Sequence, residues 1–540
     1  MTTFGIDLGT TYSCIAHIDA DGRTVISKNA DGDEVTPSAV FFESASNVIV
    51  GKQAKLVAKI SPDQVVTLIK RSMGQPGVTL TFHGVAHTPE SISALILKEL
   101  VQAVEQTTDE KVTDVVITVP AYFGIREREA TRNAGVIAGL NVLNLVPEPV
   151  AAALHYEALS AGQDQTILVY DLGGGTFDTT VIQMRGHDIS VVCTEGDHEL
   201  GGADWDERIA GWLLERFMAD NPESGAQQSE EFLQQLANEA EDIKRSLSRM
   251  EAKGHSMSFD GGKARVELTR VELERMTADL LDRTFQMTQR TIDTARQKGV
   301  TTFDQVLLVG GSSRMPAVVA GLRERFGFEP RLTDPESAVA KGAARFALIE
   351  SVKIALPDRD DRTDAEPAAV SVVAAQLGIS TEQVETLAAK RVTSVVPRAF
   401  GVQVQNKRHP DADGDGNIVD HILRANDALP AKPPTRQYYT SSPDQTEIEL
   451  PVYEQAGEVE SARVDANRQI GTGLISGLPP LRQGSPIDVF VEMGETGALR
   501  VRAVELTTGR EALVELQVDG LTQAEVAQAR IAVAQYAVGN

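Results

Sequence analysis

The sequence predicts an α/β chain whose first 350 or so residues form two similar lobes, followed by an all-β domain and one terminal helix. Three observations predict this. Short, apolar, β-branched runs alternate with segments of helical spacing up to about residue 346. One hairpin pattern, an apolar strand ending in Asp and Gly and then a second strand, occurs at 4–18 and again at 168–184. From about 393 to 520 the chain changes to alternating apolar and polar residues, separated by Pro, Gly and Asp turns. At 540 residues it is too long for one hydrophobic core, so roughly three or more structural units are expected.

Composition narrows the function classes. No run approaches about 18 uninterrupted apolar residues, so no membrane-spanning helix is expected. MTTFGIDLGT lacks a basic start, and Asp7 breaks its apolar stretch, so it does not read as a secretory signal. Two cysteines, Cys14 and Cys193, cannot build a disulfide framework and fit a reducing, cytoplasmic setting. The formal charge of −26 disfavours non-specific binding to nucleic acid or anionic membrane.

Each element has a local reason. FGIDLG and SCIAHI read as a hairpin of buried strands, and TILVYDLG with DTTVIQM repeats it. VTDVVITVP (112–120) is a strand stopped by a proline. REREATRNAGVIAGL (126–140) and DERIAGWLLERFM (206–218) have helical spacing. FDQVLLVGG (303–311) is a strand closed by two glycines, and Pro316 suits the start of the helix that follows. PDRDDRTDAEP (357–367) is charged, carries two prolines and reads as a solvated linker. SVVAAQLGISTEQVETLAAKRV (371–392) is helical around Gly378, with Ser380 and Gln383 as a capping box, so 351–392 forms a linker with a small helical segment. RAFGVQVQ, TEIELPVYEQ, PIDVFVEM, ALRVRAVEL and EALVELQV are strands of a β-sandwich over 393–520. In 521–540, Thr522 and Glu525 cap one last helix.

The chemistry sits in the repeated turns. Glycines there let backbone N–H groups point into a concavity that binds phosphate oxygens. Gly9, Thr10 and Thr11 form one such nest, and Gly173, Gly174, Gly175 and Thr176 the other. Two facing nests would hold a polyphosphate from both sides. Asp7 and Asp171, at matching offsets where strands end, suit a hydrated Mg²⁺, which keeps waters and takes few protein ligands. LLVGGSSRMPAVVAGLRERF (307–326) runs strand, Gly-Gly, helix, the geometry for a nucleotide's sugar or phosphate. DADGDGNIVDHI (411–422) spaces Asp411, Asp413, Asp415 and Gly416 like a calcium loop, but Ile422 stands where the bidentate Glu belongs. It reads as a solvated loop.

Taken together, GIDLGTTYSCIA, IKRSMG (69–74), TVPAYF (118–123), PEPVAAALHYE (147–157), VYDLGGGTFD (169–178), LGGADWDERI (200–209), VGGSSRMP (309–316) and DPESAVAKGAA (334–344) closely resemble the 70-kDa heat-shock chaperone family, of DnaK type, within the actin and sugar-kinase superfamily of ATPases. VTSVVPRAFGVQV and the segment from Ser476 to Gly509 look like parts of that family's peptide-binding domain. The resemblance implies a two-lobed actin-like ATPase domain (1–350), a β-sandwich peptide-binding domain (393–520) and a short C-terminal helix. It implies hydrolysis of ATP to ADP and phosphate with Mg²⁺, and a monovalent ion such as K⁺. Lys70 would orient the attacking water and offset transition-state charge. Thr176 would lie near the γ-phosphate, and Asp7, Asp171, Glu148 and Asp178 would form the acidic cluster around metal, water and monovalent ion, with Asp178 on the last. Tyr12, Gly201, Gly202, Glu241, Lys244, Arg245 and Ser248 would contact the nucleotide, Arg245 by stacking on adenine. Gly310, Gly311, Ser312 and Arg314 would complete the adenosine side. Pro120 and Arg128 match the relay between nucleotide state and peptide affinity. Val402, Tyr439, Ile448 and Leu450 fall near the peptide groove.

The sequence also departs from that pattern. The short apolar linker is replaced by about 45 residues, of which Val392 and Val395 match the docking strand. Asn144 stands where the family carries an arginine used with J-domain partners, which argues against that partnership. Shortened segments after Lys70 and after Arg249 alter the surface expected for a nucleotide exchange factor. A single terminal helix in place of the helical lid implies faster release of unfolded or extended polypeptide clients, or a different client. The reading is an ATP-dependent chaperone. Its rival is a nucleotide-switched scaffold whose sandwich binds one specific partner. A small-molecule kinase shares the cleft but gives no reason for the sandwich, and a filament former would pellet with ATP.

Overall fold

The computed structural model describes residues 3–539 apart from 20, 109, 160–163, 333, 357–366, 496 and 515–520. The charged stretch read as a solvated linker lies almost wholly outside the described residues. Two mixed sheets carry the first part of the chain, and their topology repeats. In one, strand Phe4–Asp7 pairs antiparallel with Tyr12–Ile18 and parallel with Asp114–Val119, which pairs parallel with Asn141–Pro147. In the other, Gln165–Leu172 pairs antiparallel with Phe177–Arg185 and parallel with Gln305–Val309, which pairs parallel with Arg331–Leu332. Asp7 lies opposite Cys14 in the first hairpin, and Asp171 opposite Asp178 in the second. The duplicated sequence pattern is therefore a duplicated register.

Two helices fill the space between these sheets, Glu148–Leu159 and Ala338–Ala355. They cross so closely that a Cβ on Gly342 would fall 1.7 Å from the Ala151 carbonyl oxygen. Val150, Ala151, Val169, Ile182, Leu307, Ala343 and Phe346 form the shared core. Small residues at the crossing let two backbones approach and hold the sheets at one fixed angle. Outside the second sheet, helices Gly202–Asp220, Glu230–Leu247 and Ala278–Gln297 and the hairpin Ala252–Phe259/Gly262–Thr269 build their own core around Trp205, Phe217, Phe232 and Leu236.

The segment beyond the first 350 residues begins with two short helices, Pro367–Leu377 and Thr381–Ala389. Ser380 and Gln383 form the expected capping box. Val370, Val373 and Val384 pack on Val352 and Leu356 of the preceding long helix. Strand Arg391–Thr393 then adds parallel to Asp188–Asp197 at the edge of the second sheet. Two facing four-stranded antiparallel sheets follow. One is ordered Asn417–Leu423, Phe400–Gln405, Ile448–Gln455, Asn467–Ile475; the other Arg436–Tyr439, Pro486–Met493, Leu499–Glu505, Glu511–Val514. They enclose Val402, Ile448, Leu450, Val489, Met493 and Val501.

Several sequence expectations need correction here. Residues 411–422 are not one loop: Asn417–Leu423 is a strand, and Ile422 packs in the sandwich core. Asp413 accepts hydrogen bonds from the Asp415 and Asn417 amides and the Asn417 side chain, which ties the preceding turn together. Val402, Ile448 and Leu450 do not open onto a groove. They are buried in the core, because their side of each strand faces the opposite sheet. Tyr439 is exposed, on an edge strand of the other sheet.

The terminal helix Gln523–Gln535 carries the Thr522–Glu525 capping box. It packs on helices Pro89–Thr108 and Ile125–Ile137 of the first lobe. A strand that the sequence did not announce, Ala537–Gly539, then adds parallel to Asn47–Val50. Val526, Val533 and Tyr536 are buried in the same core as Phe42, Val48 and Leu97. The Tyr536 hydroxyl meets His87 Nε2 at 3.1 Å, and Lys98 Nζ donates to the Val533 and Tyr536 carbonyls at 3.3 and 2.7 Å. Among the described residues no helix is long and apolar enough to cross a membrane.

Tyr536→Ala should remove a buried aromatic from the first lobe's core and cost about 3 kcal/mol. Denaturant unfolding followed by a probe in that lobe checks this. An unchanged midpoint would mean that the terminal strand contributes nothing to the lobe.

Candidate functional site

The two repeated turns meet across a cleft of about 1010 Å³. A Cβ on Gly174 would fall 2.0 Å from Thr11 Oγ1, and one on Gly175 would fall 2.2 Å from Thr10 Cγ2. Only glycines permit this approach of one turn to the other. Gly9, Thr10, Thr11, Tyr12, Gly173, Gly174 and Thr176 line the cleft. Gly175, Gly201 and Gly202 stand behind its wall, with Gly202 and Ala203 donating amides to the Gly173 and Gly174 carbonyls at 3.0 and 2.8 Å.

Acidic groups gather at the floor. Lys70, 4% exposed, donates to Glu148 Oε1 at 2.7 Å. Asp171 and Asp178 are buried beside them, and Asp7 opens to the cleft. Burial pushes Asp7 up to about 7, reinforced by Glu148 and opposed by Lys70 and the Thr118 hydroxyl. Burial, again helped by Glu148, holds Asp178 at about 7 and Asp171 well above the ordinary carboxylate range. Four carboxyl groups share one ammonium in a desolvated floor, so burial favours neutral acids there until a further cation enters. That donor set fits a hydrated divalent cation held by Asp7 and Asp171 and offset by their charge. Lys70 itself rides on a short 3-10 turn, Ile69–Ser72, entered through Leu68 at φ 56°. A left-handed leucine is a strained entry, held by the packing around it, and it fixes where the ammonium points.

The opposite wall comes from helix Glu230–Leu247 and the third glycine loop. Glu241, Lys244, Arg245, Ser248, Gly310, Gly311, Ser312 and Arg314 all line the same cleft. Lys244 Nζ donates to the Gly202 carbonyl and to Asp206, both at 2.7 Å, so part of its charge is already committed. Gly310 takes φ 79°, and a Cβ there would strike the Leu172 carbonyl at 2.3 Å. Arg314 pairs with Glu336 at 3.2 Å. Arg245 is mostly exposed at the rim, 3.3 Å from the Tyr12 hydroxyl.

Several residues with roles here were not singled out from the sequence. Lys55 pairs with Glu241 and lies 3.3 Å from the Tyr12 hydroxyl, so it bridges the mouth of the cleft from one lobe to the other. Arg71 donates to the Gly175 carbonyl at 3.0 Å and to Asp204 at 2.6 Å, while Asp204 also accepts from the Gly201 amide at 2.7 Å. Adjacent basic residues, Lys70 and Arg71, were the available signal. Their two side chains serve opposite lobes.

Pro120 and Arg128 do not reach the cleft. Pro120 begins the buried segment Pro120–Phe123, and Arg128 Nε donates to the Phe123 carbonyl at 2.9 Å. Arg128 instead lines a second cavity of about 190 Å³ with Asn144, Val392, Val395 and Met493, between the first part of the chain and the sandwich.

Comparison with known proteins places these features in a family context. The family model described as Hsp70 protein matches residues 3–76, 74–399 and 411–538. The chain is 33% identical over 516 residues to the chaperone protein DnaK of Thermotoga neapolitana, covering 94% of this chain and 79% of that protein.

Gly174→Val should force the facing turns apart and cost triphosphate binding about 1–3 kcal/mol, the usual range for overpacking. Titration calorimetry with ATP and Mg²⁺ measures it. Unchanged affinity would show that the turns do not clasp phosphate.

Proposed function

The chain belongs to the Hsp70 family, and from that premise we propose that it is an ATP-dependent molecular chaperone that binds extended apolar segments of unfolded polypeptides. The observation that carries the proposal is the pair of glycine turns closing on each other above a buried Lys70–Glu148 pair and three further carboxylates. The proposed organisation is an actin-like ATPase domain (1–350), a linker (351–392), a sandwich that contacts clients (393–520) and a C-terminal segment (521–540). We place it in the cytoplasm, consistent with two free, buried cysteines.

Backbone N–H groups of Thr10, Thr11 and Gly174–Thr176 hold the triphosphate from both sides, the Gly9 and Gly173 amides being used within the turns, and Thr176 faces the γ-phosphate end. Glu241, Lys244, Arg245, Ser248 and the loop Gly310–Arg314 form the adenosine side, while Gly201 and Gly202 back the second phosphate turn. Asp7 and Asp171 would hold a hydrated Mg²⁺, which when bound would offset phosphate charge. Lys70 positions the attacking water and stabilises charge on the transferring phosphoryl group. The water's oxygen bonds to phosphorus as the bond from phosphorus to the bridging oxygen of ADP breaks, and the water's proton passes to a carboxylate of the cluster around Lys70. Asp178 is proposed for a monovalent cation such as K⁺.

Client binding belongs to the sandwich. Of the four expected groove residues, Tyr439 alone reaches the surface, on the edge strand Arg436–Tyr439. An extended apolar segment can add at such an edge. ATP hydrolysis is proposed to switch client affinity, so by linkage clients alter turnover. A nucleotide exchange factor would meet the rim around Lys55 and Glu241. Asn144 is engaged with Glu350 at 3.1 Å, which gives no support to a J-domain partner at that position.

Lys70→Ala should lower ATP turnover about a hundredfold or more while ATP still binds. Single-turnover hydrolysis with and without a panel of extended apolar peptides tests both halves of the proposal. Normal turnover in the variant would contradict the role of Lys70, and indifference to every peptide would contradict the chaperone reading.

A further inference from the structure

One fully buried cation of the sandwich faces the nucleotide cleft across a single stretch of chain. Arg398, 2% exposed, enters from the start of the sandwich. Its Nε donates to the Tyr122 carbonyl at 3.2 Å, and its guanidinium stacks on the Tyr122 ring at 4.6 Å. Its Nη1 lies 3.8 Å from Glu127 Oε1. The Tyr122 hydroxyl donates to the Gly457 carbonyl at 3.1 Å, a second grip from the sandwich. On its other side the same segment touches the cleft floor. The Tyr122 amide donates to Asp178 Oδ1 at 3.2 Å, and the Phe123 ring lies 5.7 Å from Lys70 Nζ.

Burying a guanidinium is expensive unless it is paired and hydrogen-bonded. Among the described residues Arg398 has a hydrogen-bond partner for Nε and an ionic partner near Nη1 where the sandwich meets residues 122–127, while its Nη2 has none. Glu127, for its part, is desolvated by burial, yet Arg398 and Arg468 outweigh this and hold it below the usual carboxylate range. Arg468 also reaches Glu454, which accepts the Ile125 amide at the start of the helix. This lattice fixes residues 122–125 from the sandwich side while Asp178 and Lys70 lie against them from the cleft side.

We infer that Arg398 is a positioning residue for ATP hydrolysis, supplied by the sandwich, which holds the Tyr122–Phe123 segment so that Lys70 and Asp178 keep their places. The inference rests on the ATPase reading above and adds to it a group outside the cleft. Arg398 is not among the residues that line the nucleotide cleft. Its loss should therefore act on turnover and spare nucleotide affinity, which the glycine turns supply.

The test uses the full chain. Arg398→Met keeps bulk but removes charge and hydrogen bond. It should lower kcat about tenfold to a hundredfold, the scale of a small misplacement of catalytic groups, with the nucleotide dissociation constant unchanged. Arg398→Lys restores the charge without the planar fork and should fall between Met and Arg. Arg290→Ala, which breaks pairs with Glu195 and Glu458 at the same interface but away from residues 122–127, should leave kcat unaltered. Thermal melting verifies that each variant folds; if Arg398→Met does not, Arg398→Lys carries the test. An unchanged or raised kcat in the Lys and Met variants, or a kcat loss matched by lost affinity, overturns the inference while the ATPase reading stands. No turnover in the unaltered chain overturns both.

Discussion

More carboxyl groups than cations, held out of water between two lobes, are the constraint on which the rest of the structure depends. Glu148, Asp171 and Asp178 are buried and Asp7 opens to the cleft, with Lys70 as their paired cation. Such a cluster is costly in an empty protein and becomes favourable when a cation and a polyphosphate enter together. The lobes supply the framework for that exchange. Their matching registers bring equivalent strand ends to opposite sides of one cleft, and the helix crossing at Gly342 and Ala151 fixes their separation. Cleft geometry is thus set by backbone contacts, which vary little, rather than by long side chains.

The seam with the sandwich follows a different logic. It is built from Glu127, Arg398, Arg468 and Glu454, with Asn426 accepting from the Thr194 amide and Glu458 pairing with Arg283 and Arg290. Buried ion pairs contribute little net stability compared with apolar contacts, but removing one partner strands the other. An interface of this kind has one good arrangement and poor near-alternatives. That suits a contact whose purpose is to report alignment, because a slight shift of the sandwich breaks several pairs at once.

Much of this was legible in the chain itself. The two hairpins, the strand stopped by Pro120, the glycine loop before Pro316 and the capping boxes at Ser380 and Thr522 are local patterns, and local patterns survive into the fold. What escaped notice depends on distant partners. Arg398 reads as one more polar residue at the start of a strand until Tyr122 and Glu127 are brought beside it. Arg71 looks like a neighbour of Lys70, yet serves the other lobe. Asn417–Leu423 was hidden by the aspartates before it, whose spacing suggested a loop. Val402, Ile448 and Leu450 alternate as strand residues do, and alternation alone does not say which face meets the second sheet. The strand Ala537–Gly539 is too short to announce itself, and it exists because Asn47–Val50 offers an edge.

That last strand has a consequence of its own. The polypeptide leaves the first lobe, runs through the second and the sandwich, and returns to finish as a strand beside one of its earliest. The path is a closed circuit, with the sandwich secured to the two lobes on its way in and on its way out. A partner tethered twice cannot drift off when a single contact fails. Its surface stays at high local concentration against the lobes, and every detachment is followed by an intramolecular return. Any motion of the sandwich would therefore be an excursion within a ring rather than a departure on a leash.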